Sequence, residues 1–162
     1  MVFSLTVLGS SSALPTSKRY SSAYVLNVHE RFFLIDCGEG AQIQLRRFGI
    51  KLGKINHIFL SHLHGDHVFG LFGLISSFNL LGRKSDLHIY ADKEIKNILK
   101  SHFKHFDYQR EFQIVFHYLS NEKEEIIFEN NNLLVKSFPL NHRIPTNGFL
   151  FLEKKRGGFC YR

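Results

Sequence analysis

A chain of 162 residues fits one domain, and 44% hydrophobic content is enough for a packed core. No apolar stretch approaches the roughly 20 residues that span a bilayer, and the start, Met1-Val2-Phe3-Ser4, lacks the basic segment and long apolar run of a secretory leader, so no membrane association is expected and the cytoplasm is the expected location. The formal charge of +7 favours a polyanionic partner, with local clusters at Lys18-Arg19, Arg46-Arg47 and Lys154-Lys155-Arg156, while Cys37 and Cys160 are too few for a disulfide framework or a cysteine zinc motif and read as packing residues.

In chain order, strand-like runs cover Phe3 to Leu8, Ala23 to Val28 and Arg31 to Asp36, a β meander broken at Gly9 and at His29-Glu30. Glu39 to Phe48 reads as a short amphipathic helix closed by Gly49. The apolar run Ile55 to Leu60 reads as a buried strand. Val68 to Leu81 is apolar nearly all round, as expected of a helix packed under a site, and Phe69, Phe72 and Phe78 are expected in the core. A strand at Leu87 to Tyr90 and a helix at Lys93 to Phe106 follow, then strands at Gln113 to Leu119, Glu125 to Phe128, Leu133 to Phe138 and Phe149 to Glu153. The sum is a layered α/β fold in which strands dominate and helices cover the sheets. After Gly157-Gly158, Phe159 to Arg162 begins what reads as a further strand, so the chain is expected to be the front part of a longer protein.

The chemistry concentrates between the Ile55 to Leu60 strand and the helix after it. Ser61-His62-Leu63-His64-Gly65-Asp66-His67 places four potential metal ligands within six residues. His62 and His64 are two apart and project to one side of extended chain, and Gly65 lets the backbone turn before Asp66 and His67. One pair can hold one metal and the next pair a second. Imidazole with carboxylate suits zinc, and two close metals can clamp the attacking and leaving oxygens of a hydrolytic displacement.

Four stretches together resemble the metallo-β-lactamase superfamily and, within it, the ribonuclease Z family of tRNA 3′-processing endonucleases. They are Leu8 to Pro15 with Arg19-Tyr20-Ser21-Ser22 after it, the acidic motif Phe33 to Gly40, the HLHGDH segment His62 to His67, and Leu140 to Phe149 around His142. HLHGDH by itself indicates the superfamily. The acidic motif running into Ala41 to Arg47, and Pro145 after His142, narrow the likeness to ribonuclease Z.

The resemblance implies an αββα sandwich, of which residues 1–162 would form a single, C-terminally incomplete metallo-β-lactamase-like domain, the N-terminal half. It implies two zinc ions per subunit, one on His62, His64 and His142 and the other on Asp66 and His67, with Asp66 also catalytic, as proton acceptor or by orienting the attacking water. The implied activity is removal of the 3′ trailer from precursor tRNA to leave a 3′-hydroxyl, in a cytoplasmic homodimer. The resemblance places a bridging aspartate, a further ligand histidine, a histidine general acid and a tRNA-gripping arm beyond Arg162, so the 162 residues by themselves are expected to be inactive or nearly so. The alternatives are a phosphodiesterase or esterase of the same superfamily acting on small molecules, and a non-catalytic metal- or RNA-binding fragment.

Asp36 matches no direct ligand. It could accept the free N–H of a ligating imidazole, or cap the helix beginning near Glu39. Arg19 and Arg143 are candidate phosphate contacts, the loop Gly9 to Ser12 a weaker one, and His29, His57, His88, His102, His105 and His117 read as surface or core residues.

Overall fold

The computed structural model describes residues 2–14, 16–106 and 110–155 and a two-residue strand at 158–159. Cys160, Tyr161 and Arg162 lie outside the described residues, and with them most of the expected last strand. Strands β1 (Phe3–Gly9), β2 (Ala23–Val28) and β3 (Arg31–Ile35) form the expected antiparallel meander. Three crossovers then add parallel strands: helix α1 (Ala41–Arg47) leads to β4 (Ile55–Phe59), α2 (Gly65–Leu80) to β5 (Leu87–Ala91) and α3 (Glu94–His105) to β6 (Ile114–Tyr118). The result is a six-stranded sheet in the order β1-β2-β3-β4-β5-β6. A second, antiparallel sheet holds β7 (Glu125–Glu129), β8 (Leu133–Pro139), β9 (Asn147–Lys155) and β10 (Gly158–Phe159), in the order β10-β9-β8-β7.

The central strands are buried on both faces, and alternation along them sorts side chains by shape. Leu34, Ile58 and Ile89 point to the helices and join Leu45, Leu71, Leu74, Ile75 and Leu99 in one core. Their neighbours Phe33, Phe59 and Tyr90 point the other way, to a seam between the sheets with Leu133 and Val135. There Phe59 stacks on Tyr90 at a centroid distance of 4.4 Å, and meets Phe151 edge-on at 5.4 Å. Arg83, only 7% exposed, spans the lower ends of β4 and β5 and donates to the carbonyls of Ile55, Ser85 and Asp86 and to Asn56 Oδ1. Cys37 is fully buried, as a packing residue should be, and burial with the neighbouring Asp36 charge pushes its thiol pKa up.

Three expectations change. Helix α2 begins at Gly65, three residues before Val68, so Asp66 and His67 occupy its first turn, where a carboxylate is favoured by the helix dipole. Gly65 is not in the left-handed region that only a glycine tolerates well; a Cβ there would meet the Phe69 ring at 2.3 Å, so the residue supplies room and not a special turn. Phe69 is 63% exposed, whereas Phe78 is buried and Phe72 packs against the core. No helix among the described residues is long and apolar enough to cross a membrane.

Candidate metal centre

The C-terminal ends of β3 and β4, the start of α2 and the β8–β9 loop converge at one edge of the six-stranded sheet, where open α/β sheets place ligands. Cys37 N–H donates to the His67 carbonyl at 2.7 Å and Gly70 N–H to the Cys37 carbonyl at 2.9 Å, stitching the loop after β3 to the first turns of α2. Only glycine at 70 permits this approach, since a Cβ there would lie 2.1 Å from the Gly38 carbonyl oxygen. The β8–β9 loop is tied in by the Asn147 N–H, which donates to the Ser61 carbonyl at 2.9 Å.

His62 Nε2 and His64 Nδ1 lie 3.0 Å apart, and one ring nitrogen from each of His62, His64 and His142 falls within 4.8 Å of the others. A tetrahedral zinc about 2.0–2.1 Å from each nitrogen would set them about 3.3 Å apart, so the three are spaced to share one ion. His62 is buried while His64 and His142 are exposed, giving a cluster anchored in protein and open to solvent. Burial, then the nearby His67, His64 and His142 rings, pull the His62 pKa down to about 4 against the opposing Asp36 charge. The ring is therefore neutral at pH 7, with a lone pair free for a metal.

His67 is held differently. Its Nδ1 lies 2.7 Å from Asp36 Oδ2, and its Nε2 3.5 Å from Asp66 Oδ2. Burial lowers the His67 pKa, but the hydrogen bond and charge of Asp36, with Asp66, more than reverse this and raise it. Asp36 also accepts Ser61 N–H at 2.8 Å and the hydroxyls of Ser61 and Ser22 at 3.0 and 3.4 Å. Four donors thus hold one buried carboxylate, which fixes Nδ1–H on His67 and turns Nε2 toward Asp66. The two readings of Asp36 are thereby decided: α1 starts after Gly40 with no side-chain cap, so Asp36 supports an imidazole and caps nothing. Asp36 adopts φ 55, an uncommon conformation for a side chain-bearing residue, which the same hydrogen bonds sustain.

His62, His64, Asp66, His67 and His142 line an open cleft of about 580 Å³, together with Ser12, Ala13, Gly65 and Phe69. The three nitrogens of His62, His64 and His142 fit a divalent ion, and His67 Nε2 with the Asp66 carboxylate adds two further donors in the same cleft. Arg19 and Arg143 are exposed and do not line this cleft. Of the Gly9 to Ser12 loop only Ser12 reaches it, and the Ser11 hydroxyl donates to the Leu14 carbonyl. The other histidines lie elsewhere: His29 pairs with Glu153 at 2.9 Å, His57 stacks on His88 at 4.9 Å, His88 meets His117 at 3.0 Å, and His102 packs on Phe72. Ser22 and Ser61 lie within stretches the sequence singles out, but nothing in the sequence assigned them the role of holding Asp36.

A family model described as anti-Pycsar protein Apyc1 matches residues 3–156. Over 160 residues the chain is 46% identical to ribonuclease Z of Bacteroides fragilis, covering 99% of this chain and 53% of that protein. Ribonuclease Z of Bacteroides thetaiotaomicron is 47% identical over 160 residues, 99% of this chain and 51% of that protein. Among solved structures, human tRNase Z, short form, superposes with a TM-score of 0.84 at 34% identity, covering 93% of this chain and 64% of that one. The metallo-β-lactamase fold protein YhfI from Bacillus subtilis superposes with a TM-score of 0.70 at 18% identity, covering 91% and 56%. The chain spans about half the length of the curated relatives it matches. By these findings it has the metallo-β-lactamase fold, is similar over nearly all its residues to ribonuclease Z, and belongs to the family whose model bears the Apyc1 description.

Proposed function

We propose that the protein is a zinc-dependent endoribonuclease that removes the 3′ trailer of precursor tRNA. The observation that carries this reading is the grouping of His62, His64 and His142 beside the Asp36-oriented His67 and Asp66, in a chain 46% identical to ribonuclease Z. Two zinc ions, one on the three histidines and one on Asp66 and His67, would supply Lewis-acid polarisation of a phosphoryl oxygen and hydroxide at neutral pH. The chain's own residues do the rest. In this reading Asp66 orients the attacking water and accepts its proton, and Asp36 keeps His67 in one tautomer. Attack at phosphorus breaks the bond to the ribose 3′-oxygen, leaving a 3′-hydroxyl on the tRNA. The net charge of +7 suits the polyanion.

We read the protein as a cytoplasmic homodimer. Support for self-association comes from α1 and α2, where exposed Ile43, Leu80 and Leu81 border one apolar depression. The alternative of a small-molecule phosphodiesterase draws on the family match, whose description names a protein other than ribonuclease Z.

The test is to incubate the full-length protein with zinc and end-labelled precursor tRNA, in parallel with a small phosphodiester. A single cut leaving a 3′-hydroxyl, lost by a factor of about 10³ or more in His64→Ala, is expected. Intact precursor tRNA beside a hydrolysed small diester would refute the assignment and favour the alternative.

A further inference from the structure

Phe69 is the residue of the cleft that metal chemistry does not explain. Its neighbours Val68 and Gly70 are buried, and Phe78 on the same helix is 1% exposed, whereas Phe69 is 63% exposed. Its ring occupies the space that a side chain at 65 would fill, within 2.3 Å of where that Cβ would stand. Gly65 lies between His64 and Asp66, so the ring sits over the backbone that joins the two groups of ligands. It shares the 580 Å³ cleft with all five of the proposed ligands. What sets Phe69 apart from other exposed apolar side chains is its place: a ring 63% exposed in the same cleft as the cluster leaves an apolar surface open beside it.

We propose that Phe69 is a stacking platform for an unpaired nucleobase flanking the phosphodiester engaged by the cluster. The inference rests on the reading of the site as a phosphodiester-cleaving centre acting on RNA, and deepens it. A phosphate drawn to the metal ligands by a chain of charge +7 carries its base within reach of a ring on the adjacent helical turn. Aromatic stacking accepts every base, because each has a π-face, and it depends on the presence of the base more than on its identity. This separates it from hydrogen-bonded base readout, which depends on the identity of the base. Phe69 touches substrate in this role without handling the reacting atoms.

The experiment uses full-length protein with precursor tRNA carrying 2-aminopurine, or an abasic site, at the nucleotide on either side of the cut. In stopped-flow mixing, the wild type should quench 2-aminopurine at one of the two positions, Phe69→Tyr should retain the quench, and Phe69→Ala and Phe69→Leu should lose it. Phe69→Ala should lower kcat/KM on unmodified precursor about five- to tenfold, the low end of a stacking contribution. The abasic site should cost the wild type a similar factor and Phe69→Ala nothing further. Full quenching by Phe69→Leu, or additive losses in the Phe69→Ala and abasic combination, would overturn the stacking role while leaving the endonuclease reading intact. A wild-type protein that neither cuts nor quenches any precursor would overturn both. Because Phe69 is exposed, its variants should melt with the wild type, and a lowered melting temperature in Phe69→Leu would show instead that the ring is structural.

Discussion

Asp36→Asn preserves side-chain volume and a residue type that tolerates the left-handed backbone at φ 55, changing only which atoms accept hydrogen bonds. The carboxylate now accepts from Ser61 N–H, Ser61 Oγ, Ser22 Oγ and His67 Nδ1. An amide can keep its oxygen on the Ser61 N–H, but it then turns an NH₂ toward His67 Nδ1. The imidazole must swing away or move its proton to Nε2, the nitrogen facing Asp66 at 3.5 Å. Either response removes Nε2 as a metal donor. Loss of such an orienting partner costs about 10- to 100-fold in metal affinity, about 1.4 to 2.8 kcal/mol. One effect opposes this. Asp36 raises the His67 pKa, so its removal also weakens proton competition for that ring, which would mask part of the loss in mildly acidic buffer. At pH 8 the competition fades and the full loss should appear. Zinc affinity by chelator competition at pH 8, with imidazole nitrogen NMR to read the tautomer, tests the argument. Wild-type affinity, with the proton still on Nδ1, would refute it.

His57 lies in the seam between the sheets, stacked on His88 and edge-on to Phe128 at 4.8 Å, and burial first, then the neighbouring cationic groups, hold its pKa down to about 4. An unfolded histidine titrates near 6.5, so between pH 6.5 and 4 the unfolded chain binds more protons and stability falls as pH falls. The full shift is worth about 3 kcal/mol, discounted to roughly 2 for the ring's partial exposure. Urea midpoints across pH 4–7 should fall less steeply in His57→Phe, and an unchanged slope would reject the assignment. Gly70→Ala drives a Cβ to 2.1 Å from the Gly38 carbonyl and should cost about 3 kcal/mol or more, along with zinc affinity. Gly73→Ala, whose Cβ has the end of the flexible Gln42 side chain as its nearest neighbour at 3.0 Å, should change the melting temperature little, and equal melting of the two variants would count against the close approach.

The layered α/β class, the meander and the alternation of helices with strands were legible in the sequence because each rests on periodicity. Residues such as Phe33 and Leu34, or Ile58 and Phe59, alternate between faces at period two, and α3 carries Ile95 and Leu99 on its buried side. Helix starts were less legible. The first turn of α2 is written in metal-binding residues and glycine, so apolar periodicity could not show that it begins at Gly65. Phe69 was misassigned for a related reason: in an all-round apolar helix, composition cannot say which side faces a cleft.

The sequence by itself determined that a histidine and aspartate cluster follows a buried strand, since ligand type and spacing are local properties of the chain. It also pointed to His142, 75 residues after His67, through the motif around it. Tertiary structure alone decided that His142 meets His62 and His64, that Asp36 holds His67 and caps no helix, and that Phe69 stands open beside them. The reason is distance along the chain. Hydrogen bonds and ligand groupings between residues 25 to 80 positions apart exist only once the sheets have registered and Gly70 has let α2 close onto the loop after β3.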